Sequence, residues 1–184
     1  GLGIGGIAVA LAVQNILGDL FSSFAIYFDK PFVVGDFVVV GKHLGTVEKI
    51  GIKTTRIRAL QGEEIVISNK ELTSTRIQNF KKMEKRRIVF GFGVTYGTAN
   101  EKLKQIPSIV TDIIEQQKNA YPDRVHFKEF ADSSLNYEVV YFVESADYNE
   151  YMDIQQSINL NIKEKLEQAG VSMAFPTRTV HLEK

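Results

Sequence analysis

Cysteine is absent from the chain. That excludes disulfides and thiolate metal sites, and it is compatible with a protein facing the cytosol. Histidine is nearly absent: His43, His126 and His181 are far apart and lack any ligand-like spacing, so neither a metal nor a cofactor is expected. Net charge is missing as well. The 22 basic and 22 acidic side chains cancel to +0, which leaves no global field to hold nucleic acid. A membrane or a protein partner is easier to support. At 184 residues the chain has room for one or two compact domains, each with a modest core.

Polarity is missing altogether from the first thirteen residues. Gly1 to Val13 (GLGIGGIAVALAV) carries no charged or polar side chain, and small residues recur at Gly3, Gly6, Ala8, Ala10 and Ala12. A helix apolar all round belongs in a buried core or in lipid, and small residues three or four apart let helix backbones approach closely in a bilayer. Ile7 and Leu11 are the bulky pair one turn apart on a face otherwise lined by small residues. Copies of this helix around an axis would stack them as two apolar rings, a geometry that gates pores by dewetting. At about 1.5 Å per residue the segment is only about 20 Å long, short of the roughly 30 Å hydrocarbon layer. A core helix of a larger soluble domain is therefore an alternative. A signal peptide is disfavoured, since no basic n-region precedes the apolar run. With the chain starting at glycine inside an apolar helix, the expectation is that the rest of a membrane domain lies upstream.

The same residues, Gly1-Leu2-Gly3-Ile4-Gly5-Gly6, match the G-x-G-x-x-G of dinucleotide sites, with Asp29 as the ribose acid. That makes a nucleotide-dependent oxidoreductase a second reading. It needs a strand before the glycines and βαβ units after Asp29, whereas the residues beyond Asp29 read as a run of strands.

After Val13 the character changes. Gln14, Asn15 and Gly18 are candidate kink positions, since Asn and Gly sit poorly in helix interiors. Leu17, Leu20, Phe21, Phe24 and Phe28 then recur at helical spacing opposite Asp19, Ser22 and Ser23, an amphipathic helix suited to a membrane interface or a protein layer. Lys30-Pro31 ends it. From Phe32 to about Phe80 the pattern is short strands (37–40, 45–50, 54–60, 64–67) separated by Gly35-Asp36, Gly41, Gly51 and Gln61-Gly62, with Ser68-Asn69-Lys70 as a closing turn. That predicts a small all-β barrel or sandwich. The remainder reads as strand 86–94, helix 98–119, strands 125–130 and 135–144, helix 149–169 and a last strand 178–182. This order, βαββαβ, is ferredoxin-like. Thr98-Ala99-Asn100-Glu101 has capping-box spacing, Pro107 interrupts the first helix's ladder, Ile154, Ile158, Ile162 and Leu166 form a stripe on the second, and Gly170 suits its C′ position.

These pieces together resemble the small-conductance mechanosensitive channel (MscS-like) family from Ile7 to the C-terminus. The likeness rests on IAVALAVQNILGDL, YFDKPFVVGDFV, GTVEKIGIKTTRIR, IVISNKEL, FADSSLNYEV and MAFPTRTVHLE, the last two looking closest to the YnaI-type branch. It implies a pore-lining transmembrane helix with a kinked interfacial continuation at 1–30, a small Sm-like β domain at 31–80 and an αβ vestibule domain at 81–184. It also implies a constriction at Ile7 and Leu11, a final barrel strand near Thr179 to Leu182, and a homoheptamer in a bacterial inner membrane with its C-terminal domains cytoplasmic. The expected function is a channel that opens under membrane tension and protects against hypo-osmotic stress, with lipids, permeating ions and small solutes as partners and no enzymatic activity. Asn15 stands where the family often has glycine, and Ser68 where proline commonly precedes the asparagine.

Two clusters attract other readings. Lys81, Lys82, Lys85, Arg86 and Arg87 would suit nucleic acid but lack interleaved aromatics, so a solvated interdomain face, or an influence on which ions enter, is the better reading. Asp132-Ser133-Ser134 has no histidine adjacent in sequence and no nucleophile elbow, and reads as a turn between strands. A soluble protein- or RNA-binding module is the third functional alternative.

Overall fold

A computed structural model describes residues 2–178, and in the first helix it describes residues 6, 13, 14 and those from 17 onward in side-chain detail. The chain divides into two compact units, Gly1–Met83 and Glu84–Lys184.

The first unit begins with α1 (Leu2–Asp29), which continues through Gln14, Asn15 and Gly18 as one assigned helix. It ends where expected, at Lys30, which adopts φ 45 before Pro31. Next come β1 (Phe37–Val40), β2 (His43–Ile50), β3 (Thr54–Ala59), β4 (Glu64–Ser68), α2 (Asn69–Ser74) and β5 (Ile77–Asn79). They form one antiparallel sheet in the order β4-β3-β2-β1-β5, with β4 and β5 as its two edges. Alternation sets the inner face: Val38, Val40, Val47, Ile57 and Ile67 turn inward, while Arg56 and Arg58 on β3 turn out. Ile26 of α1 (1% exposed), Phe32 and Leu72 complete this core. The expected turn at 68–70 is instead the start of α2: Ser68 is its N-cap, accepting the Glu71 N–H at 3.2 Å.

The second unit carries β6 (Arg86–Val94), α3 (Asn100–Glu115), β7 (Ala120–Phe130), β8 (Leu135–Val143) and α4 (Tyr148–Gln168). Its antiparallel sheet has the order β6-β8-β7, so β8 inserts between the strands that α3 connects. This is the split βαβ core of the ferredoxin-like order. The fourth strand position is held by one bridge, Val94 to Met173, flanked by bonds from Thr95 N to Ser172 O at 3.1 Å and from Ala174 N to Gly93 O at 2.9 Å. The last strand is expected at 178–182; all of it after Arg178 lies outside the described residues.

Three local expectations need correction. Thr98 does not cap α3: the N-cap is Ala99, which makes no side-chain cap bond, while the Thr98 hydroxyl pairs with that of Thr95 at 3.2 Å. That helix also stops at Glu115, four residues early, and Asn119 takes φ 62 in the turn after it. β7 starts at Ala120 rather than 125, because Pro122 is tolerated on an edge strand, where the register shifts between Pro122 and Arg124. Pro107 lies inside α3, whose Ile106, Val110 and Ile113 are buried. The end of α4 matches expectation: Gly170 has φ 66, with bonds from Gly170 N to Glu167 O (2.9 Å) and Val171 N to Leu166 O (2.8 Å), a Schellman pair.

Candidate functional site

The region where α1 meets the β domain is the candidate site, because the all-apolar segment and the folded part of the chain join there. The two faces of α1 are used in the reverse of the usual sense. The face that docks carries Asp19, Ser22 and Ser23, with Ile26 as its buried apolar residue. Ser22 is buried, and its hydroxyl accepts from Thr73 Oγ1 of α2 at 3.0 Å while donating to the Gly18 carbonyl at 2.9 Å. Ser23 accepts from Asn69 Nδ2 at 3.0 Å and lies against the carbonyls of Asp19 (3.1 Å) and Ile52. Asp19 faces Lys53 at 3.8 Å, the ordinary role of a polar-face carboxylate.

Asn69 is the hub of this seam. It is fully buried, donates its second amide hydrogen to the Gly51 carbonyl at 2.8 Å, and accepts from the buried Thr55 hydroxyl at 2.8 Å. Its backbone N–H reaches Lys53 O at 2.9 Å. Every strong hydrogen-bonding group of the side chain is satisfied, as a buried amide requires. The hydrophobic pattern of the sequence does not show this network. The one signal for it is a polar trio, Ser68-Asn69-Lys70, directly after the inward Ile67.

The apolar face of α1 remains uncovered within the described chain. Val13, Leu17, Leu20, Phe21, Phe24, Tyr27 and Phe28 are all exposed, Phe21 by 67% and Phe28 by 73%. Leucine and phenylalanine in this number do not project into water from a face the protein has no partner for.

The sequence-predicted site residues lie on the same helix. α1 carries Ile7 and Leu11 one turn apart, with Gly3, Ala8, Ala10 and Ala12 among them; the side chains of Ile7, Leu11 and these small residues lie outside the described residues. Gly6 is exposed, and a Cβ there or at Gly18 would meet no other part of the chain within 4 Å. Gly3, Gly5 and Gly6 lie inside the helix rather than in a strand-to-helix loop, and both sheets are antiparallel, so the dinucleotide fingerprint lacks the geometry it needs. Among the described residues no helix is long and apolar enough to cross a membrane.

The basic run is divided between the two units, and its members take different partners. Lys82 donates to the Lys30 carbonyl at 2.8 Å, Lys85 faces Glu144 at 3.7 Å, and the Arg86 guanidinium sits 5.6 and 5.4 Å from the Tyr148 and Tyr151 rings. Asp132-Ser133-Ser134 forms the turn between β7 and β8, closed by Ala131 N to Ser134 O at 2.9 Å, as expected of a turn.

Two family models match the chain: "Mechanosensitive ion channel, beta-domain" over residues 15–82 and "Mechanosensitive ion channel MscS, C-terminal" over residues 88–173. The small-conductance mechanosensitive channel MscMJ of Methanocaldococcus jannaschii is 43% identical over 185 residues, covering 100% of this chain and 53% of the relative. The low conductance mechanosensitive channel YnaI of Escherichia coli is 33% identical over 189 residues, covering 98% and 54%. Since YnaI is the less similar of these two, the YnaI-type branch is not singled out. The crystal structure of Helicobacter pylori MscS in its closed state superposes with a TM-score of 0.76 at 25% identity, covering 100% of this chain and 72% of that one. The chain spans about half the length of the curated relatives it matches.

Proposed function

Because the chain belongs to the MscS family of mechanosensitive channels, we propose that it is the pore-helix and cytoplasmic part of a channel subunit that opens under membrane tension and relieves hypo-osmotic stress. The observation that carries this reading is the inverted use of α1: its serines bind the β domain, and its leucines and phenylalanines are left for a non-aqueous neighbour. In this reading residues 1–30 are the pore-lining helix and its interfacial continuation, 31–80 the β domain and 81–184 the vestibule domain. The subunits form a homoheptamer in a bacterial-type inner membrane, with 31–184 on the cytoplasmic side. Lipids surround the helices, and ions and small solutes permeate.

The mechanism is a shift between two states, in which tension favours the one with the larger in-plane area. Ile7 and Leu11 make stacked rings that are dry when narrow and wet when the helices separate or rotate. Gly3, Gly6, Ala8, Ala10 and Ala12 let neighbouring helices approach closely, and Gln14, Asn15 and Gly18 take up the bend between the pore-lining and interfacial parts. The Asn69 seam holds the end of α1 to the β domain, so that displacement of the helix is transmitted to a folded body. No catalytic step is assigned to the chain.

A mass measurement of the detergent-solubilised full-length protein tests this. A ring of subunits with tension-gated current in patches is expected. A monomer that stays soluble without detergent would instead favour a soluble protein- or RNA-binding module.

A further inference from the structure

At the end of α1 two segments distant in sequence are laced into one platform. Asn79 Nδ2 donates to the Pro31 carbonyl at 3.1 Å and to Asp36 Oδ2 at 2.7 Å, and the same carboxylate oxygen accepts from Val33 N at 3.0 Å. Lys81 N donates to Asn79 Oδ1 at 3.0 Å, and Lys82 Nζ to the Lys30 carbonyl at 2.8 Å. Lys30, Lys81 and Lys82 are therefore gathered at one corner, all exposed. The acidic residues in these segments are Asp36, which is buried and spent on Asn79 and Val33, and Asp29, which is exposed. The corner carries an excess of positive charge on a chain that is neutral overall.

Large apolar side chains stand beside those lysines. Val33 and Val34 are consecutive and exposed in the turn, Val34 by 59%. Tyr27 and Phe28 touch edge to face at 5.5 Å, and Phe28 stacks on Phe24 at 6.5 Å, which continues the uncovered face of α1 up to the corner. Aromatic rings at headgroup depth with cations at the phosphate level are the composition of an interfacial anchor. We propose that this corner docks on anionic lipid: Tyr27, Phe28, Val33 and Val34 enter the headgroup boundary, and Lys30, Lys81 and Lys82 hold lipid phosphates. Three exposed lysines against one exposed carboxylate, Asp29, complement an anionic leaflet. The proposal rests on the channel reading and adds to it a lipid class and the residues that select it.

The cysteine-free sequence makes the test direct. Full-length protein carrying Val34→Cys, labelled with an environment-sensitive dye, is placed in nanodiscs of phosphatidylcholine with rising phosphatidylglycerol. A blue shift that grows with phosphatidylglycerol and is reversed by salt is expected, since raising ionic strength from about 0.1 to 1 M shortens the screening length from about 10 to 3 Å. Lys81→Gln should move the midpoint about fivefold toward higher phosphatidylglycerol, from about one lysine's share of surface attraction. The triple variant Lys30→Gln/Lys81→Gln/Lys82→Gln should lose the preference while keeping the mass of the assembly. A shift equal in both lipids and indifferent to salt and lysines overturns the proposal. So does a photo-crosslinker on Val34→Cys that joins neighbouring subunits, which would mean that a second copy covers the corner. Assembly mass and tension response are read on the same preparations. Their loss with the lipid preference intact overturns the channel reading alone, and their retention without the preference overturns the lipid site alone.

Discussion

Asn69 of α2 donates its side-chain amide to the Ser23 hydroxyl of α1 at 3.0 Å, across 46 positions of sequence. The bond belongs to a fully buried amide whose other hydrogen and whose oxygen are committed to Gly51 and Thr55. Replacing Asn69 by leucine strips partners from Thr55, Gly51 and Ser23 together, each a buried or half-buried group. A loss of about 2–3 kcal/mol is expected, read as a lower denaturation midpoint. Ser23→Ala should cost less, because Asn69 keeps its two bonds inside the β domain. If both variants melt like the parent, the seam is not what holds α1.

Gly45 allows β2 to lie against β3. A Cβ there would sit 2.2 Å from the Arg58 carbonyl oxygen and 2.9 Å from Ile57 Cγ2, the first being backbone that does not swing away. Gly45→Ala should force the strands apart and destabilise the first unit by about 1–3 kcal/mol. Gly6→Ala, where the chain itself places nothing within 4 Å, should leave that unit's melting unchanged. The two melting curves decide it.

Glu138 on β8 is held below the usual carboxylate range, first by the Lys128 ammonium at 2.8 Å and then by the Arg124 guanidinium at 3.0 Å. A lowered folded value means that the pair contributes fully above the ordinary glutamate pKa of about 4.3. Its contribution is lost as acid takes the pH down through the lowered value. Carbon-detected NMR titration of Glu138 should show this low midpoint, and Lys128→Gln should move it up. Because the groups are in solvent, the stability change is small. An unchanged midpoint in the variant would dismiss the pairing as a crowded surface.

Ile7→Ser or Leu11→Ser in the full-length protein should give a pore that leaks without tension, since a serine ring wets where an aliphatic ring stays dry. Patch recordings with unchanged resting leak and unchanged threshold would remove these residues from the constriction.

Ala8→Leu or Ala10→Leu should disturb the close approach of neighbouring pore helices and shift the tension needed to open. A parental threshold in both would show that small side chains there are not packing surfaces.

Periodicity carried much of the fold. The strands of the β domain, the buried stripe of α4 and the Gly170 cap are written in side chains whose burial or backbone freedom follows from local spacing. The errors have local causes. Pro122 hides an edge strand because an edge tolerates what an interior strand refuses, and Thr98 imitates a cap while spending its hydroxyl on Thr95. The site was half legible. The alternation of Leu17, Phe21, Phe24 and Phe28 with Asp19, Ser22 and Ser23 identified the two faces of α1, but not which of them meets the β domain. That choice is made by Asn69, Thr55 and Thr73, which are distant in sequence and carry no periodic signature.

The inverted helix also predicts how this segment tolerates change. In an ordinary surface helix the polar positions drift freely and the apolar ones are held by the core. Along residues 17–28 the order is largely reversed: Ser22 and Ser23, small and chemically ordinary, join the buried Ile26 as the positions a substitution scan should find least forgiving, while Phe21 and Phe24 should exchange with any bulky apolar side chain. A map of tolerated substitutions would therefore look, over this one stretch, like that of a protein turned inside out.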